Sequence, residues 1–119
     1  MSNKYEFVHA VLEMYLAIPE TPMAFSTHDS YIANVWFDQG VSLLQVQQAM
    51  TLAQLRRGSR RSTDPPLNQI RSLHYFVPII QEISRQPMEE GYFRYLQRKL
   101  DDLRNPDLNR ARPESSSSE

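Results

Sequence analysis

Two helices meet across a very short connection in the segment DQGVSLLQ, residues 38–45. Gly40 is placed to end the first helix, because glycine readily takes the left-handed backbone conformation that follows a helix. Ser42 and Gln45 have the Ser-x-x-Gln spacing of a capping box, the pattern that opens a helix. Only Val41 separates these two signals, so the sequence predicts a tight helix pair at this point.

Prolines and periodic apolar residues divide the rest of the chain into helices as well. The 119 residues include eight prolines and three glycines, and most of the prolines lie between periodic segments. No segment shows the strict alternation of apolar and polar residues that is typical of a half-buried strand. We therefore expect an all-α fold, a single five-helix orthogonal bundle over residues 1–104. The serine-rich segment 105–119 is predicted to be a disordered tail, because it has too few apolar residues to form a core.

The predicted helices span residues 3–18, 26–39, 42–57, 63–84 and 86–104. In the first, Tyr5, Val8 and Leu12 form an inward stripe that Tyr15 or Leu16 continues. The second begins at Ser26, which has an acid, Asp29, three residues later. In the third, the predicted inward row is Leu43, Val46, Met50 and Ala53.

The last two predicted helices carry the longest apolar patterns. The fourth has apolar residues at helical spacing and is the predicted central core helix, with members Leu67, Ile70, Leu73, Phe76, Val77, Ile80 and Ile83. Pro78 predicts a kink or a break in it, since proline cannot donate the amide hydrogen bond to the carbonyl of His74. In the fifth, the predicted inward residues are Tyr92 or Phe93, Leu96, Leu100 and Leu103.

The pair formed by residues 29–57 resembles a helix-turn-helix, in which the second helix reads DNA. Its predicted reading face is polar and uncharged, and consists of Gln45, Gln47, Gln48, Thr51 and Gln54. Glutamine amides can pair with the edge of adenine. Trp36 stands where the motif usually has alanine, and Gln39 where an apolar residue is usual. An ordinary helical hairpin is therefore the competing interpretation.

Charge is distributed unevenly along the chain. Thirteen Lys and Arg against fourteen Asp and Glu give a formal net charge of −1. Residues 1–49 contain one basic residue, Lys4, and five acids, whereas the following segment carries Arg56, Arg57, Arg60, Arg61 and Arg71. These arginines are predicted to contact phosphates, and Arg56, Arg57, Arg60 and Arg61 belong to a predicted mobile basic loop, the arginine loop. A solvated loop and an arginine cluster that docks on an acidic partner are equally compatible with the pattern.

Candidate catalytic material is sparse. The chain has no cysteine and three histidines, and His9 and Glu13 lie four residues apart on one helix face without a third metal ligand. We expect no enzyme activity, no metal and no cofactor. Tyr75, Tyr92 and Tyr95 are expected in the core, and an interface with a partner protein or with a second copy is the alternative.

The segment IRSLHYFVPII, residues 70–80, together with Gln39-Gly40-Val41-Ser42 and the arginine loop, resembles a loose group of small helical proteins of unknown function. That group is associated with bacterial mobile elements and plasmid replication regions. The resemblance extends from about Phe7 to Leu103, implies a DNA-linked accessory role, and transfers no catalytic residue.

The sequence therefore predicts a small non-enzymatic accessory protein that contacts nucleic acid, with DNA favoured over RNA. The alternative is a helical adaptor that binds a partner protein through its aromatic residues. No run approaches the roughly eighteen apolar residues of a membrane span, and we expect a cytoplasmic protein.

Overall fold

The computed structural model describes residues 3–19, 21–22, 24–58, 67 and 69–104. These residues form α1 (Lys4–Leu16), α2 (Thr27–Asp38), α3 (Leu43–Gly58), α4 (Val77–Arg85) and α5 (Glu90–Arg104), with a 3₁₀ helix at Leu73–Phe76. No strand occurs in the described ranges, so the all-α class with five α-helices is confirmed. Within the same ranges, no helix has the length and apolar character needed to cross a membrane. The predicted tail, 105–119, lies outside the described residues.

The junction of α2 and α3 follows the prediction. Gly40 has a φ of +82°, the left-handed conformation that ends α2. The N–H of Gly40 donates to the carbonyl of Phe37, and the N–H of Val41 donates to the carbonyl of Trp36, which together form a Schellman motif. Ser42 and Gln45 then bond reciprocally to each other's backbone amides, at 2.9 and 3.1 Å, and cap α3.

The centre of the fold is α3. The helices α1, α4 and α5 and the 3₁₀ helix all pack against it. Its buried positions, Val46, Gln48, Ala49, Met50, Thr51, Ala53 and Leu55, occupy more than one face of the helix. The prediction that residues 63–84 would form the central helix is therefore wrong.

Of the predicted helices, the fourth, residues 63–84, differs most from the structure. Its first part falls largely outside the described residues, and residues 67 and 69–72 are not helical. The chain becomes helical only at Leu73, as one 3₁₀ turn, and α4 begins at Val77 with Pro78 in its first turn. In that turn the missing amide hydrogen of proline costs nothing, whereas inside a longer helix it would remove a bond and its ring would clash with the carbonyl of His74. The kink or break predicted near Pro78 corresponds to the change from the 3₁₀ turn to α4 at Val77.

Several side chains predicted to face inward are exposed. Tyr5, in the first turn of α1, is 78% exposed, and Leu67 is also exposed. In α5 the buried residues are Phe93, Leu96 and Leu100, whereas Tyr92 and Leu103 are exposed. The core placement of Tyr75, Tyr92 and Tyr95 was likewise wrong, since all three are exposed.

A buried carboxylate joins two segments that are distant in sequence. Asp29 is 2% exposed, and each of its oxygens accepts a backbone N–H bond of 2.8 Å. One donor is Ser26, in the capping box of α2, and the other is Leu73, at the start of the 3₁₀ helix. Hydrogen bonds to an ionised acceptor are stronger than neutral ones. Asp29 therefore both caps α2 and anchors the 3₁₀ helix beside it.

Tyr15 places a hydroxyl inside the core. The side chain is fully buried, and its ring packs edge-on against Phe76 with centroids 6.3 Å apart. Among the described residues the hydroxyl has no hydrogen-bond partner. Burial, and to a smaller extent the negative charge of Asp29, raise the pKa of Tyr15 to about 12. The neutral phenol is therefore strongly favoured in the folded state.

Replacement of Asp29 by alanine should destabilise the protein by about 2–4 kcal/mol, because two backbone amides lose an ionised acceptor. The control is Asp38→Ala, which removes an exposed ion pair with Lys4 and should change stability by less than about 1 kcal/mol. Urea unfolding followed by circular dichroism measures both. Equal stability of the two variants would contradict the anchoring role of Asp29.

Tyr15→Phe should raise the free energy of unfolding at pH 7 by about 1 kcal/mol, because it removes a buried hydroxyl without a partner. The folded-state pKa of Tyr15, about 12, exceeds the value of about 10 in the unfolded chain. The wild type therefore loses stability as the pH rises from about 10 through about 12, since the unfolded state releases the proton more readily. The variant lacks this loss, so its advantage should grow between pH 7 and about pH 11 in urea unfolding. A variant that is less stable than the wild type at both pH values would show that the hydroxyl is stabilising.

Candidate nucleic-acid interface

The predicted reading face of α3 is only partly accessible. Gln48 and Thr51 are 4% and 9% exposed, so the prediction that they lie on the outer face is wrong. The physical reason is that α5 packs on α3 and covers part of this face. Gln45 is used in the cap, and Gln54 donates to the carbonyl of Met50 and accepts from Arg104. Of the five predicted residues, Gln47 alone is fully exposed.

The predicted arginines are in different environments. Arg56 makes two hydrogen bonds to the carboxylate of Glu82, at 3.0 and 2.6 Å. These bonds raise the pKa of Arg56 and lower the pKa of Glu82, so the pair is ionised at neutral pH. Arg71 is exposed just before the 3₁₀ helix. Arg60 and Arg61 lie outside the described residues.

Arg57 contacts an aromatic residue of the 3₁₀ helix. Its guanidinium lies 5.4 Å from the ring centroid of Tyr75 and donates to the tyrosine hydroxyl at 3.3 Å. Tyr75 follows His74 in the 3₁₀ helix, and the ring of His74 is 6.2 Å from that of His28 in α2. The ring of His28 in turn stacks on Tyr31 at 6.3 Å. We call His28, Tyr31, His74 and Tyr75 the aromatic row.

Local structure explains how the aromatic row forms. His28 and Tyr31 are three residues apart on α2, a spacing that places them on one face of the helix. The bond from the N–H of Leu73 to Asp29 brings the 3₁₀ helix beside the first turn of α2. His74, the next residue after Leu73, therefore lies against His28.

The surface of the aromatic row is exposed and carries cationic neighbours. Tyr31 is 63% exposed and Tyr75 is 39% exposed, and both histidines are exposed. Asp29 is the acid closest in sequence to His28, but it is buried and its oxygens face backbone amides. The guanidinium of Arg57 lies over Tyr75, and Arg71 precedes the 3₁₀ helix by two residues in the sequence. Exposed rings beside guanidinium groups form a surface suited to stacking and to phosphate contact.

The remaining histidine forms no comparable arrangement. His9 lies 3.3 Å from Glu13 in an exposed pair on α1, as its spacing predicted, and its ring stacks on exposed Tyr5 at 6.2 Å. Within the described ranges, no three His, Asp or Glu side chains are grouped so that they could hold a metal ion.

The sequence indicated the arginines as candidate phosphate contacts, but the aromatic row was not predicted. The spacing of His28 and Tyr31 was a visible local signal of a shared helix face. The contact between His28 and His74 depends on a long-range bond to Asp29, for which the sequence contains no local signal.

No family model, no curated protein and no solved structure matches the chain. The resemblances to mobile-element proteins and to a helix-turn-helix stay predictions.

Proposed function

We propose that this protein is a non-enzymatic accessory protein that binds single-stranded nucleic acid across the aromatic row. The observation that carries the proposal is the continuous set of ring contacts from Tyr31 through His28 to His74, with Arg57 over the adjacent Tyr75. Proteins that bind single strands combine aromatic side chains, on which bases stack, with basic groups that follow the phosphates.

The geometry favours a single strand over the reading of a duplex by α3. A recognition helix has to present one face to the major groove. In this fold α3 is central, and Gln48 and Thr51 of its predicted reading face are buried. The bases of a single strand are accessible for stacking on exposed rings, which is the kind of surface that Tyr31 and Tyr75 offer.

Electrostatics support the same occupant. Arg57 lies against Tyr75, Arg71 is exposed two residues before the 3₁₀ helix, and the sequence after α3 contains Arg60 and Arg61. Contacts with phosphates release counterions, so binding through these groups should weaken as salt rises. The net charge of −1 makes a local, salt-sensitive contact more suitable than a broad basic surface.

The double variant Tyr31→Ala and Tyr75→Ala should bind single-stranded DNA at least about tenfold more weakly, because each lost stacking contact is worth about 1–3 kcal/mol. The measurement is fluorescence anisotropy with a labelled oligothymidine strand at low and moderate salt, with an RNA strand and a duplex in parallel. The matched control is Tyr5→Ala with Tyr92→Ala, which removes two exposed tyrosines outside the aromatic row.

Wild-type protein without salt-dependent binding to either single strand would overturn the proposal. Equal loss of affinity in the two double variants would remove the aromatic row as the site. Tighter binding to the duplex than to both single strands would favour the competing hypothesis, in which α3 reads a duplex.

Glu82→Gln should raise the affinity for the same strand by about twofold to tenfold, because it releases Arg56 from its carboxylate partner for phosphate contact. Glu13→Gln is the control, since it makes the same charge change at the exposed pair with His9. Anisotropy at several salt concentrations should also give a steeper salt dependence for Glu82→Gln alone. Identical behaviour of the two variants would place Arg56 outside the interface.

A further inference from the structure

A second surface lies where α5 leaves an open groove along α3, beside the C-terminal end of α1. The groove has a volume of about 640 Å³. Its apolar lining consists of the partly exposed Met14 and the largely buried Ile18, Met50, Phe93 and Leu100, and the glutamines of α3 and α5 add polar side chains. We call it the α5 groove.

The packing of α5 keeps the groove open. Only Phe93, Leu96 and Leu100 of α5 are buried, and α3 is the helix on which α5 mainly packs. Leu96 and Leu100 join Leu55 of α3 in a small cluster that is separate from the main core. Among the described residues, α5 therefore packs mainly on α3 and contacts α1 much less.

The rim of the α5 groove is mainly cationic. Arg94, Arg98 and Arg104 of α5 line it, and Asp101 is the one carboxylate among the described residues of the lining. Arg94 and Arg98 are one helical turn apart and both are exposed. Glu90 lies 3.5 Å from Arg94, but this pair is exposed and therefore weak.

We propose that the α5 groove is the docking site for an acidic amphipathic helix of a partner protein. An apolar lining with a basic rim is complementary to a helix that has apolar residues on one face and carboxylates on the other. Carboxylates one turn apart on such a helix match the spacing of Arg94 and Arg98. Met14 and Met50 add side chains that adapt readily to the shape of a bound apolar residue.

Length and chemistry favour a peptide helix over a nucleic-acid strand in this groove. The stretch of α5 that lines it, residues 93–104, is about three helical turns long, enough for a short helix to lie alongside. The apolar lining is mostly aliphatic and thioether, and its one aromatic side chain, Phe93, is buried. Exposed rings for base stacking lie instead in the aromatic row. The two proposals therefore concern separate residues and can fail independently.

Two synthetic peptides about four helical turns long test this proposal. Both carry leucine on one face, and the other face carries glutamate in the acidic peptide and lysine in its basic twin. Anisotropy of the labelled peptides should show that the wild-type protein binds the acidic peptide at least about tenfold more tightly than the basic one. Arg94→Glu with Arg98→Glu should invert that preference.

The control variant is Arg85→Glu with Lys99→Glu, which makes the same charge change at exposed positions outside the groove lining. It should keep the wild-type preference, and circular dichroism confirms that both variants are folded. Equal affinity of the wild type for the two peptides, no binding of either up to millimolar concentration, or an unchanged preference in Arg94→Glu with Arg98→Glu would overturn the proposal. Loss of oligothymidine binding in that variant, with no peptide bound by the wild type, would assign the groove to nucleic acid. Retained oligothymidine binding in that variant, together with an inverted peptide preference, would show that the strand and the peptide bind at different surfaces.

Discussion

The carboxylate of Asp29 hydrogen-bonds to two segments that are distant in sequence. It caps α2 through Ser26 and anchors the 3₁₀ helix through the N–H of Leu73. Burial makes both bonds strong, but it also requires that both oxygens are satisfied, because an unpaired buried charge is very unfavourable. The 3₁₀ helix is thus fixed beside α2, and the order of the rings from Tyr31 to Tyr75 depends on that position.

Local signals in the sequence predicted the helix boundaries well where short-range chemistry decides them. The capping residues Ser26 and Ser42 and the left-handed Gly40 were identified correctly, because each acts on backbone groups within a few residues. The prediction of one helix over residues 63–84 was wrong because apolar spacing alone does not distinguish a helix from an irregular segment. There, the bond of Leu73 to Asp29 and the position of Pro78 determine where the helix begins.

The charged residues of the candidate site could be predicted from the sequence, but their contacts could not. The arginine-rich segment is visible in the sequence, but the pairing of Arg56 with Glu82 joins α3 to α4 and has no local signal. Gln48 and Thr51 look like surface residues by their chemistry, and their burial follows from the way α5 packs on α3. Ring pairs such as His28 with His74 arise only once two distant helices have been brought together.

Both proposed surfaces use α3 as their common support, and this arrangement bears on how they would work together. The end of α3 places Arg57 against Tyr75 of the aromatic row, and Met50 in its middle forms part of the lining of the α5 groove. Packed helices hold α3 on several sides, so it is a firm support for both surfaces. In the two proposals, a strand and an acidic helix therefore share α3 as a common support, the arrangement expected of an accessory protein that links a nucleic acid to a protein partner.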